Sequence, residues 1–152
     1  MYSLCTPDIQ TAVSKEFPNV SERQLEGMLD FLTRVRNVCA HNERLYSFKP
    51  DKTRAIQVMP VHSQLKIGEK KNKNYFNKGQ DDLFAAVICF KYLLPVAEFH
   101  RVCDALNCEI NVLCGKTKQF QKNKILSCMG FPDNWLDIKT VGSADLHEPT
   151  DK

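Results

Sequence analysis

The 152-residue chain has no C-x-x-C pair, although it holds seven cysteines, at positions 5, 39, 89, 103, 108, 114 and 128. An odd number with no metal-ribbon spacing argues against both a disulfide framework and a zinc ribbon, and fits a reducing cytoplasmic setting. Long apolar runs are also missing. The longest uncharged one, Leu83 to Phe90, falls well short of the ~20 residues that a membrane-spanning helix needs, and the N-terminus has no basic-then-apolar signal pattern. The sequence therefore predicts neither a membrane protein nor a secreted one. No internal repeat or low-complexity tract occurs, and charge of one sign does not dominate: the formal net charge is +3. Such a balance neither demands nor excludes a polyanionic partner, so the distribution of charge carries more information than its sum.

What is present is enough apolar material for one core. Leu, Ile, Val and Phe account for 41 of the 152 residues, above the level of about 20 % that marks a disordered chain, and the length suits a single domain. Thr6-Pro7-Asp8 has the features of a helix start, and that helix should stop near Phe17-Pro18. Ser21 with Gln24 forms a capping box, and Leu25, Met28, Leu29, Leu32, Val35 and Cys39 then recur at steps of three or four. This spacing predicts the clearest helix, from about Glu22 to about His41, with Asn42 as its stop. Leu45 to Pro50 reads as loop.

Periodicity fails from Asp51 to Gln80, where Ala55 to Val61 reads as a short extended or irregular stretch broken by Pro60. Lysines 66, 70, 71, 73 and 78 then stand against one acid, Glu69, and predict a mobile basic loop over 66–80. Asp81 or Gln80 should cap a second strong helix through Leu94, which Pro95 ends or kinks. A third helix is expected from about Val96 to Cys114, closed by Gly115, and a short one from Gln119 to Met129. The tail over 139–152 is polar. The sequence thus predicts an all-α helical bundle, with an irregular basic insertion between its two main helices.

The polar cluster at the end of the strongest helix is the main site candidate. At about 100° per residue, Asn37 and His41 lie within about 40° of each other, so Asn37 can orient the imidazole, whereas Arg36 and His41 diverge by about 140° unless the last turn loosens. Arg36 also neighbours the apolar seam at Val35, where a guanidinium calls for a cleft, a carboxylate or a phosphate. Cleaving RNA without a metal needs a base for the ribose 2′-hydroxyl, an acid for the leaving 5′-oxygen and a cation against the charge at phosphorus. Two copies of this helix meeting across a two-fold axis would supply two imidazoles and two guanidiniums, making a homodimer part of the mechanism. A Cys39–His41 nucleophile is excluded, since residues two apart sit roughly 200° around an intact helix. A plainer reading leaves Arg36 and His41 as cations that complement the helix dipole and pair with acids such as Glu43.

The run Phe31-Leu32-Thr33-Arg34-Val35-Arg36-Asn37-Val38-Cys39-Ala40-His41-Asn42-Glu43-Arg44-Leu45 resembles the R-N-x-x-A-H-x-x-R-L core of the Abi-like (abortive infection, AbiD/AbiF-type) proteins of the HEPN superfamily. Leu83 to Leu94 resembles that family's second long helix, and Met129-Gly130-Phe131-Pro132-Asp133-Asn134-Trp135 its closing G-F-P-x-x-W motif, so the resemblance runs from about Met1 to Ile138. It implies a HEPN-like helical domain over 1–138 that dimerises, with Arg36 and His41 at a composite, metal-independent ribonuclease site and Asn37 in support. Arg44 becomes an RNA-contacting or structural residue. Family members carry a further N-terminal helical region, so the resemblance further implies the C-terminal part of a longer architecture. The implied setting is phage defence or a toxin–antitoxin-like system with a neutralising RNA or protein partner. No cofactor is expected. The alternatives are a non-catalytic RNA-binding module and a helical protein-interaction domain.

Two basic stretches add candidate RNA contacts. Lys70, Lys71 and Lys73, with Tyr75 and Phe76 among the lysines, have the makings of a phosphate track beside a stacking aromatic. Lys116, Lys118, Lys122 and Lys124 form the second stretch. Of these, Lys70, Lys71, Lys73, Lys118 and Lys122 join Arg44 as the expected RNA-binding set. No metal site is expected, because His100, Cys103, Cys108 and Cys114 fall along one helix and do not converge on a point. Phe131 and Trp135 read as anchors for the C-terminal segment.

Overall fold

The capping box holds as read. In the computed structural model the Gln24 backbone N–H donates to Ser21 Oγ (3.3 Å) and the Ser21 N–H to Gln24 Oε1 (2.9 Å), opening helix α2 at Glu22–Ala40. The structure describes residues 2–17, 19–67, 70–72, 75–116 and 122–141. Before α2 come a 3-10 turn at Tyr2–Leu4 and helix α1 at Pro7–Ser14. Helix α1 ends earlier than Phe17 because its last turns tighten, with Glu16 and Phe17 N–H donating three residues back to Val13 and Ser14. After α2 the chain makes 3-10 turns at Leu45–Ser47 and Lys52–Arg54, then a short α3 at Pro60–Gln64. A two-stranded antiparallel ribbon follows, β1 Lys70–Asn72 and β2 Tyr75–Phe76, pairing Lys70 with Phe76 and Asn72 with Tyr75.

Helix α4, Leu83–Leu93, lies at the centre. Its residues Phe84 through Cys89 are all buried, the signature of a helix surrounded by others. Helix α2, with Leu25, Met28 and Phe31 buried, packs on it, as does α5, Val96–Lys116, with Phe99, Cys103 and Ile110 buried. Pro95 both ends α4 and opens α5, since the Phe99 N–H donates to its carbonyl at 2.9 Å. Gly115 does not close α5, which runs one residue past it. Helix α6, Lys122–Cys128, packs on α5, and a final 3-10 turn at Trp135–Lys139 covers the same helix. The result is an all-α bundle with one small ribbon, and no helix among the described residues is long and apolar enough to cross a membrane.

Described parts of the insertion between the two main helices join the packed interior. Ile56, Met59, Val61, Leu65 and Ile67 are buried in the common core, and Phe76 is buried as well. Gln80, 24 residues from Ile56, donates from Nε2 to the Ile56 carbonyl (2.8 Å), accepts from the Phe76 N–H through Oε1 (2.6 Å), and accepts from the Ile56 N–H through its own carbonyl (2.9 Å). Residues 68, 69, 73 and 74 of the expected mobile loop lie outside the described residues, as do 142–152 of the tail.

The N-cap of α4 is Asp82, not Asp81 or Gln80. Its buried carboxylate accepts from the Ala85 N–H (3.1 Å) and from the Gly79 N–H (2.9 Å). Gly79 then joins Asp82 to a fully buried histidine: His62 Nε2 donates to the Gly79 carbonyl (2.9 Å), while its Nδ1 accepts from the Met59 N–H (3.0 Å). That pair of bonds assigns the neutral Nε2–H tautomer. Burial pushes the His62 pKa below its ordinary value, and burial pushes the Asp82 carboxyl up to about 6 despite its two backbone donors.

The two shifts act on stability in opposite directions. A histidine that resists protonation when folded contributes stability above the unfolded-state value near 6.5, and that stability is lost as pH falls below it. A carboxyl raised to about 6 contributes stability below its unfolded-state value, and that stability is lost as pH rises through 6. On acidification from pH 7 to 5, Asp82 therefore offsets part of the loss at His62. Asp82→Asn should lower overall stability and make the fall in melting temperature between those two pH values larger than in the native chain. Equal falls in the two proteins would refute the assignment.

Candidate nucleic-acid interface

Helix α2 is built with two faces. Leu25, Met28 and Phe31 are fully buried, Leu29, Leu32 and Val35 are half-buried, and Arg36, Asn37 and His41 are exposed. The helix ends in a Schellman turn: the Glu43 N–H donates to the Val38 carbonyl (3.0 Å) and the Asn42 N–H to the Cys39 carbonyl (3.2 Å). Asn42 takes the left-handed conformation this requires, with φ at 53°, which asparagine tolerates better than most residues. The turn fixes His41 as the C-cap and directs the chain into the 3-10 turn where Arg44 is the N-cap.

The helix stays α through Ala40, so its last turn does not loosen and Arg36 and His41 remain about 140° apart on one chain. Asn37 shares the side of His41, yet no hydrogen bond links them. Among the described residues, the side chains of Arg36, Asn37, His41 and Arg44 make no hydrogen bond or ion pair, with Glu43 or with anything else. Four exposed polar groups without internal partners gather at this end of α2.

Arg36 also lines an open groove of about 1170 Å³ along α2, together with Arg23, Glu26, Asp30 and Thr33, and Arg54 stands on its opposite wall. Asp30 is already engaged by Arg34 at 3.0 Å and by Arg54 at 3.8 Å. His41 is not part of the groove lining.

The lysine candidates divide. The side chains of Lys70 and Lys71, on β1, and the whole of Lys73 and Lys118 lie outside the described residues. Lys122 donates to Asn111 Oδ1 at 2.9 Å, and Lys78 to the Phe131 carbonyl at 3.3 Å. Phe76 is not a stacking surface: it is only 5 % exposed and packs on the His62 ring at 5.4 Å. His100, Cys103, Cys108 and Cys114 lie along α5, and no group of three or more potential metal ligands gathers among the described residues.

The closing G-F-P-x-x-W segment is structural. Phe131 packs on Phe84 (5.0 Å between ring centroids) and edge-on to Trp135 (5.2 Å), which anchors the C-terminal turn on α4. Buried Lys91 reinforces this by donating to the Ile138 carbonyl at 2.8 Å, with its ammonium 5.5 Å from the centre of the Phe99 ring.

No curated protein and no solved structure matches the chain. The family model described as Abi-like protein matches residues 1–47, a stretch that holds α1, all of α2, Arg36, Asn37, His41 and Arg44 and ends before α4 and the G-F-P-x-x-W segment. The match covers 47 of the 152 residues and makes this N-terminal stretch similar to Abi-like proteins.

Proposed function

We propose that the protein is a metal-independent RNA endonuclease of the HEPN type, serving abortive infection or a toxin–antitoxin-like system, with a composite site formed by two copies of the chain. The Abi-like match supports the phage-defence setting. The observation that carries the chemical reading is the unpartnered set Arg36, Asn37, His41 and Arg44 at the end of α2.

One imidazole and one guanidinium facing different ways on one chain do not make a complete site. Two copies related by a two-fold axis give two of each. His41 of one copy takes the proton from the ribose 2′-hydroxyl, whose oxygen attacks phosphorus. His41 of the second copy gives a proton to the departing 5′-oxygen, leaving a 2′,3′-cyclic phosphate and a 5′-hydroxyl. Arg36 meets the negative charge that develops on the non-bridging oxygens, and its fork of donors matches them in pairs. Asn37 is a positioning residue for the imidazole, and Arg44 grips the backbone beside the cut.

A two-copy site makes activity depend on concentration. In EDTA, cleavage per chain should stay constant while sedimentation shows a dimer and should fall on dilution into the monomer. Constant specific activity in a monomeric solution would contradict the composite site.

A further inference from the structure

We propose that Tyr46 is a stacking platform for a base of single-stranded RNA next to the end of α2. This rests on the reading that this end of the helix meets RNA. Tyr46 lies five positions after His41, so their Cα atoms are at most about 18 Å apart. A short strand of RNA can touch both.

The ring is presented to solvent on a fixed base. Tyr46 is 55 % exposed, and the other large apolar side chains described as exposed are the aliphatic Leu4, Ile9, Val112 and Leu113. Its 3-10 turn is closed by the Ser47 N–H donating to the Arg44 carbonyl (3.3 Å) and the Phe48 N–H to the Leu45 carbonyl (3.0 Å). Leu45 and Phe48 on either side are half-buried, and Phe48 packs edge-on to the fully buried Phe31, 5.7 Å between centroids. The turn rests against both α2 and α4. Stacking on Tyr46 therefore needs only two side-chain torsions to settle, on a backbone already held.

The surrounding charge favours a polyanion. From Arg36 to Arg54 the chain carries Arg36, Arg44, Lys49, Lys52 and Arg54 against Glu43 and Asp51. Arg36, Arg44 and Lys49 are exposed. An exposed aromatic with cations close along the chain suits single strands, which proteins hold with cations on phosphates and a ring on a base. Of the two aromatics expected from the sequence to stack, Phe76 is buried and the Tyr75 side chain lies outside the described residues.

The test uses the full chain at low salt with 2′-O-methyl octauridylate, which lacks the attacking hydroxyl and stays intact, and with an abasic oligomer of the same charge. Tyr46→Ala should weaken binding of the base-bearing oligomer by roughly ten-fold, within the range of about 5- to 150-fold that loss of one stacked base gives. Tyr46→Trp should bind at least as well as the native chain, and the abasic oligomer should bind the native chain and Tyr46→Ala alike. Undiminished binding by Tyr46→Ala, with the native chain still cleaving RNA in EDTA, would overturn the stacking role alone. An equal loss for both oligomers, or a change in sedimentation on substitution, would overturn it in favour of a structural or protein-contact role. No binding of either oligomer by the native chain would overturn both this inference and the reading of the site.

Discussion

Gly130→Ala should lower the melting temperature by roughly 10–20 °C, a loss of about 3–6 kcal/mol at the scale typical of a domain this size. Gly130 has φ at 81°, a conformation that side chains rarely adopt, and a Cβ there would run into the Asp82 carboxylate. Left-handed strain costs about 1–3 kcal/mol and overpacking a similar amount. Asp82 cannot move aside without loss, because it holds the Gly79 N–H at 2.9 Å and caps α4 through the Ala85 N–H at 3.1 Å. A lost cap adds about 0.5–2 kcal/mol. The control is Gly115→Ala, which meets open space near the end of α5 and should be neutral or slightly stabilising. Thermal melts followed by circular dichroism separate the two. Gly130→Ala melting within about 3 °C of the native chain would show that the G-F-P turn does not clamp the cap of α4.

His41→Ala should reduce RNA cleavage by about 10²- to 10⁴-fold, the range typical of a positioned acid or base. It should leave the fold intact, since His41 is exposed, has no side-chain partner among the described residues, and sits at a helix end shaped by Asn42. Its melting temperature should stay close to that of the native chain, because exposed substitutions of this kind shift stability by about 0.5 kcal/mol or less. Arg36→Ala should cost about 10²- to 10³-fold through loss of charge stabilisation. A His41→Ala protein that melts early would assign His41 a structural role instead.

The helices were legible wherever a short-range signal dictates them. Ser21 with Gln24 opens α2, and Asn42 closes it, because both act on backbone groups within one turn. The sequence points to Asp81 or Gln80 as the cap of α4, and only the fold shows that the side chain of the neighbouring Asp82 meets the Ala85 N–H. The segment from Ile56 to Gln80 escaped reading for a different reason. Its described ends are tied by bonds between residues 17 and 24 apart, His62 with Gly79 and Gln80 with Ile56, which no periodicity announces.

The candidate site was legible in part. The angular separation of Arg36 and His41 follows from their spacing on an uninterrupted helix. The groove beside Arg36 does not, because its far wall is Arg54 and its neighbours, brought there by the turns after α2. Tyr46 sits in a stretch that reads only as loop, and the half-buried Leu45 and Phe48 that hold its turn become meaningful once Phe31 is seen beneath them.

The most direct test of the account is to incubate the purified chain and His41→Ala with transfer RNA and total RNA in EDTA, and to identify the ends of any fragments. The account predicts discrete fragments ending in 2′,3′-cyclic phosphate from the native chain and essentially none from His41→Ala. Intact RNA at concentrations where the native chain sediments as a dimer, or equal cleavage by both proteins, would contradict it.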